Sequence, residues 1–344
     1  MKAELDLRKY RFVAFLLFLF LLEMAGPVSS TNYVRVATIG NQPHSVDKTQ
    51  GLQNMVKQVL EFWKIELQQV LPDKPDLIVL PESCESPSGL STEEQFAYSR
   101  ILKNQLVDFF ASVAKEHHCY IVFGAIQEEN KVWRNSSILL DRQGKIAGVY
   151  HKNYPTIDEI KSGIAPGNEA TVFQCDFGRV ACVVCFDLNF TELCTRYVDQ
   201  KPGIILFSSN FHGGQMESYW AYQCRSFFVG ALESRYAPSE ILNPQGEVIA
   251  STTNYFDFTV ATINLDYCLA HLDNNWEKLQ KLKEKYGNDV TIADPGKMGS
   301  VLITSRHKNI SASEMAKEFG IELLDDYLNR SRAIRNKQIK NNNP

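Results

Sequence analysis

Apolar residues recur along this chain at two periods. Residues 34–39 read as a short strand. From 52 to 70, Leu52, Val56, Val59, Leu60, Trp63, Leu67 and Val70 fall at steps of three and four, which predicts a helix with one buried face. Residues 77–80 form a brief apolar run bounded by Pro75 and Pro81, a second helical stretch covers about 93–115, and 120–125 is again a strand. The apolar segments 135–140 and 146–150 flank Arg142, Gln143 and Gly144, which predicts an antiparallel hairpin. Polar residues 153–170, with Pro155, Gly163, Pro166 and Gly167, read as a loop. Strands follow at 172–177, 180–184 and 204–207, a helix is expected beyond Glu192, and 217–228 reads as mostly helical. A late strand at 258–265, a charged helix at 276–286 and helical material within 311–328 complete the pattern, and the Asn-rich end from 337 reads as frayed. Strands alternating with helices give an α/β class, and no low-complexity linker divides residues 31–270.

The first thirty residues differ. Lys2, Arg8, Lys9 and Arg11 precede eleven apolar residues, Phe12 to Leu22, and Glu23, Gly26 and Pro27 end the run well short of the roughly 20 that a spanning helix needs. Val28 and Ser30 then place small residues before Thr31. Residues 1–30 are therefore expected to be a secretory signal peptide, with a secreted or extracellular product. An uncleaved single-pass membrane anchor is the alternative, and only that alternative implies membrane contact. The 344 residues carry 36 basic and 40 acidic side chains, a formal charge of -4, so bulk electrostatics offers nothing to a polyanion and a nucleic-acid reader is disfavoured. Asn135, Asn189 and Asn309 head N-x-S/T triplets, which predicts a glycoprotein if the chain is exported. Cys182 and Cys185 form a C-x-x-C, but its spacer is Val-Val within an apolar run and no second pair stands at zinc-site spacing.

Chemistry concentrates where strands end. Residues 77–80 lead through Pro81 to Glu82, residues 146–150 lead through His151 to Lys152, and residues 180–184 lead to Cys185. Strand ends converge in α/β folds, so these three can share a pocket. A thiol is mostly protonated at neutral pH, and Glu82 can accept its proton as general base and later act as acid. Lys152 can hold charge that develops on the attacked atom, and the backbone N–H of Phe186 is an oxyanion donor beside the nucleophile. Asn210 and His212, in N-F-H-G-G, are candidate pocket walls. Singly, each of the three has an ordinary reading as a buried core thiol, a capping carboxylate or a solvated strand end.

Together with their surroundings they form a recognisable set: L-P-E at 80–82, R-N-S-S-I-L-L-D-R-Q-G-K-I from Arg134 to Ile146 leading into Y-H-K at 150–152, and G-R-V-A-C-V-V-C-F-D-L-N-F-T-E from Gly178 to Glu192. This resembles the nitrilase superfamily of carbon–nitrogen hydrolases over about residues 34–265. The resemblance implies a four-layer α-β-β-α sandwich, a Glu82–Lys152–Cys185 triad, and Glu159, in K-N-Y-P-T-I-D-E, as a supporting carboxylate. It implies hydrolysis of a small amide, or alternatively a nitrile, through a cysteine thioester, with no metal or organic cofactor. A homodimer or larger homo-oligomer is the family expectation, and a catalytically silent binding or assembly protein is the rival class. Cys185 followed by Phe-Asp is closer to amidase branches, whereas K-x-x-P-T-x-x-E is nearer the nitrilase side. Asn189 stands where many amidases carry arginine, and Phe228 where relatives have a glutamate. Residues 271–344 are expected to be a C-terminal extension packed on the hydrolase domain or at a subunit interface.

Overall fold

A computed structural model describes residues 33–43, 46–210, 213–233 and 237–342. The predicted leader and His212 lie outside the described residues. In the first half, β1 (Tyr33–Ile39) is followed by α1 (Leu52–Val70), β2 (Leu77–Val79), α2 (Thr92–Leu102) and α3 (Gln105–His117). Then come β3 (Tyr120–Glu129), β4 (Val132–Leu140), β5 (Ile146–His151) and the short α4 (Ile157–Lys161). The second half runs through β6 (Val172–Cys175), β7 (Gly178–Val184), α5 (Thr191–Gln200), β8 (Ile204–Ser209), α6 (Gln215–Cys224) and β9 (Phe227–Leu232). It ends with β10 (Glu240–Leu242), β11 (Val248–Ser251) and β12 (Phe258–Asn264).

Two six-stranded sheets form, in the orders β12-β1-β2-β3-β4-β5 and β11-β10-β9-β8-β7-β6. Strand alternation decides the layering, since successive side chains point to opposite faces. Val34, Val36, Leu77, Val79 and Val122 meet Val180, Cys182, Val184, Ile204 and Leu206 in the core between the sheets. The intervening residues face outward: Ile39, Ile78, Ile121 and Phe123 pack under Val56, Trp63 and Phe110 of the first helical layer. On the other side Val183, Ile205 and Phe207 pack under Leu193, Tyr197 and Trp220. The result is the expected α-β-β-α sandwich. Within each sheet the central strands β1, β2, β3 and β7, β8, β9 run parallel, so their C-terminal ends open on one rim.

Four expectations need correction. The helix expected over 93–115 is two helices, because Lys103 takes a left-handed φ of 46° between them. The stretch 217–228 is helical only to Cys224; Arg225 turns at φ 56°, and Phe227 and Phe228 begin a fully buried strand. The loop 153–170 contains α4, opened by a Thr156–Glu159 capping box. The Asn-rich end, expected to fray, is helical to Asn342 in α9 (Leu324–Asn342). Upstream of α9, β13 (Tyr267–His271), β14 (Val290–Ala293) and β15 (Ser300–Ser305) make a third sheet with α7 (Trp276–Tyr286) and α8 (Ala312–Glu318) over their own core. This unit is tied to the sandwich by Asn264 Nδ2 donating to the Ser305 carbonyl at 2.7 Å and by the Arg225–Asp325 ion pair at 3.2 Å. No helix among the described residues is long and apolar enough to cross a membrane.

Candidate active site

The rim of parallel strand ends gathers the predicted residues. Glu82 lies just past β2, Lys152 directly follows β5, and Cys185 directly follows β7. Lys152 Nζ donates to Glu82 Oε1 at 2.8 Å and to Glu159 Oε2 at 2.9 Å. The Cys185 thiol is close enough to Glu82, Lys152 and Ser209 for all three to act on its ionisation. Lys152 is 1% exposed and Glu82 3%. An ammonium so deeply buried is tolerable only because two carboxylates surround it. Glu159 is delivered by α4: its Oε2 also accepts from Thr156 N at 2.6 Å, so the capping box that starts the helix also aims the carboxylate.

Cys185 has φ 45°, a left-handed conformation rare for a residue with a Cβ. The backbone turns sharply there from β7 into a short 3-10 segment that includes Phe186. Asp187 holds this elbow. Its Oδ2 accepts from Val184 N at 3.1 Å and Tyr150 Oη at 2.8 Å, and its Oδ1 accepts from Tyr154 N at 2.8 Å. One carboxylate thus pins the residue before Cys185 to both sides of Lys152. Asn210 enters through its backbone, whose N–H donates to Glu82 Oε2 at 3.1 Å.

Asn135 was legible in the sequence only as a glycan acceptor. It is buried, and its Nδ2 donates to both Glu82 Oε1 and Glu159 Oε1 at 2.7 Å. In the folded chain it is therefore no glycosylation site, whereas Asn189 and Asn309 are exposed. The signal available was register: Asn135 O accepts from Lys152 N at 2.8 Å, so the β4–β5 hairpin sets the two residues opposite one another. Asn135→Asp would put a third carboxylate among acids already crowded together. It is expected to lower kcat/KM for any turned-over substrate at least about 100-fold, read by steady-state kinetics.

Burial and the neighbouring Glu82 push the Cys185 thiol up to about 12, against the opposing pull of Lys152 and Ser209. At neutral pH it is therefore a thiol beside a base rather than a free thiolate. Burial works to lower Lys152, but Glu82, Cys185 and Glu159 outweigh it and the ammonium is held above its usual range. Burial likewise works to raise Glu159, yet Lys152, Thr156 and Asn135 together hold it below its usual value. A depressed folded-state carboxylate contributes stability above its unfolded pKa, near 4.3, and loses it as pH falls through the folded value. Tm is therefore expected to drop on acidification from about pH 5 to 3. Calorimetry of Glu159→Gln should show a lower Tm at pH 7 and a shallower acid drop.

A cleft of about 450 Å³, within the usual size for small-molecule sites, opens over Gln42, Ser86, Glu159, Asn210 and Glu233. Neither this cleft nor a larger cavity of about 690 Å³, lined by Arg100, Trp133 and His151, is lined by Glu82, Lys152 or Cys185; the smaller one borders the trio through Glu159 and Asn210, which hydrogen-bond to Lys152 and Glu82. No cluster of three metal-ligating side chains occurs among the described residues.

The sequence model of the carbon-nitrogen hydrolase family matches residues 35–270. The chain belongs to the carbon–nitrogen hydrolase family. As a member of this nitrilase superfamily it is a hydrolase. It is 24% identical over 250 residues to the omega-amidase NIT3 of Saccharomyces cerevisiae, covering 63% of this chain and 82% of the relative. To the omega-amidase NIT2-B of Xenopus laevis it is 23% identical over 243 residues, covering 63% and 86%. The crystal structure of Saccharomyces cerevisiae Nit3 superposes with a TM-score of 0.55 at 18% identity, covering 77% of this chain and 97% of that one. The NitFhit protein of Caenorhabditis elegans gives 0.59 at 16%, covering 84% and 98%. At these identities the structures bear on the fold alone.

Proposed function

We propose that this carbon–nitrogen hydrolase cleaves a small amide through a thioester on Cys185, releasing ammonia or an amine and a carboxylic acid. The observation that carries this reading is a thiol on a sharply turned elbow, set on the same rim of strand ends as a buried carboxylate that is itself paired to a buried ammonium. Cys185 attacks the carbonyl carbon as its proton passes to Glu82, and charge gathering on the carbonyl oxygen is steadied by Lys152 and the Phe186 N–H. Glu82 then gives the proton to the departing nitrogen, the C–N bond breaks, and a water deprotonated by Glu82 attacks the thioester. The omega-amidase relatives favour an amide over a nitrile. Glu159, which touches Lys152, Asn135, which touches Glu82 and Glu159, and Asp187, which holds the chain beside Cys185 and Lys152, act as positioning residues.

The test is incubation of the purified chain with a panel of small amides and nitriles, reading ammonia or amine release and the intact mass of trapped protein. Amide-dependent release with an acyl adduct mapping to Cys185 is the expected result. Release without any adduct at Cys185, even after rapid quenching, would remove the covalent route. The reading extends to an exported protein cleaved before Thr31, glycosylated at Asn189 and Asn309 but not Asn135, and paired as a homodimer. N-terminal sequencing, glycopeptide mapping and light scattering of the natural material check these in turn.

A further inference from the structure

Of the eight cysteines, Cys185 belongs to the site, and its C-x-x-C partner Cys182 faces the core between the sheets. The motif is therefore not a redox pair. A different couple is better placed. Cys194 on α5 and Cys224 at the end of α6 lie 30 residues apart in sequence, yet both are buried in the same core layer with Tyr197 and Trp220. Cys224 Sγ lies 4.0 Å from the Cys194 carbonyl oxygen, so the two residues pack directly against one another. Two cysteines packed together across a helix–helix interface can be brought to bonding distance by side-chain rotation.

We propose that Cys194 and Cys224 are a disulfide site, closed by exchange with a disulfide oxidant such as oxidised glutathione or a protein oxidoreductase. One thiolate attacks a sulfur of the oxidant and expels the first thiolate. The second cysteine attacks the resulting mixed disulfide and expels the other. The pair loses two electrons and two protons, and the oxidant disulfide becomes two thiols. Both residues are almost inaccessible in the folded chain, at 3% and 2% exposure, so closure belongs to folding rather than to later oxidation of the native protein. The bond would staple the two helices that cover the second sheet. It lies on the outer side of that sheet, away from the Cys185 thiol, so the proposal does not rest on the catalytic reading.

The experiment produces the full chain in parallel in a reducing bacterial cytosol and in a host whose folding compartment is oxidising. Each sample is denatured in light N-ethylmaleimide without reductant, then reduced and labelled with the heavy reagent. Material from the oxidising host should carry heavy label at Cys194 and Cys224, in at least about tenfold excess over light. It should also be about 2 Da lighter before reduction. Material from the reducing host should carry light label at both. In Cys194→Ser from the oxidising host, Cys224 should revert to light label. Light label at both positions in the oxidising-host protein would overturn the proposal, as would persistent heavy label at Cys224 in Cys194→Ser through pairing with another cysteine. The wild-type arms stand alone if the variant fails to fold.

Discussion

Cys185→Ala is expected to lower amide turnover by at least about 10⁴-fold while leaving the fold and Tm close to wild type. The size follows from the role: without a nucleophile the covalent route is gone, and Glu82, Lys152 and the Phe186 N–H can only polarise a bound amide. The neutrality toward folding follows from geometry. Alanine keeps the Cβ, so the left-handed φ of 45° is neither relieved nor worsened, and the contacts of Asp187 with Val184, Tyr150 and Tyr154 do not involve the sulfur. The thiol removed is a poor anion in this setting, so its loss frees no buried charge. Kinetics on the natural and substituted chains, with circular dichroism on both, checks the claim. Equal turnover would eliminate Cys185 as the nucleophile. Equal loss of turnover and of structure would show that the residue holds the elbow rather than reacting there.

What the sequence disclosed and what it concealed divide along physical lines. The helices at Leu52–Val70 and Trp276–Tyr286 were legible to the residue because their apolar spacing is long and uninterrupted. Phe227–Leu232 was not, since six buried apolar residues directly after a helix carry no period of their own and only the left-handed turn at Arg225 separates the two. The same holds for the third sheet, whose strands are four to six residues long and lie beyond the recognisable motifs. Glu82, Lys152 and Cys185 were readable because each is a reactive group closing an apolar run. Asn135 and Asp187 were hidden because their importance lies in what they touch across the hairpin and the elbow, and a contact between residues 53 positions apart leaves no local pattern. The capping box at Thr156 was written in the sequence as T-x-x-E, but in a segment rich in proline and glycine it was outweighed by turn signals.

Lys152→Met is expected to abolish turnover and also to add to the stability gained between pH 7 and 5, which no substitution confined to chemistry would do. In the natural chain Nζ stands between Glu82 Oε1 and Glu159 Oε2, and Asn135 Nδ2 bridges the same two carboxylates. Methionine fills much of the side chain's volume but leaves two buried anions facing one neutral amide. Removing one member of a buried ion pair costs about 3–5 kcal/mol, which for a chain of this size corresponds to a Tm roughly 10 °C lower at pH 7. Like charges sharing a buried site raise at least one carboxylate pKa above its unfolded value. A raised folded-state carboxylate gives stability at low pH and loses it as pH climbs through the folded pKa, so the variant should gain Tm between pH 7 and 5. Burial already raises Glu85, Glu217 and Glu233 in the natural chain, so the signature of the substitution is a gain larger than the natural one in that interval. Lys152→Arg offers the conservative comparison: it keeps a cation and should keep the natural slope, but its wider planar fork cannot occupy the point between the two oxygens, so turnover should stay low. Calorimetry of the three chains at pH 5, 6 and 7 decides the matter, because a Lys152→Met profile parallel to the natural one would mean that the ammonium is not what keeps these two carboxylates ionised together.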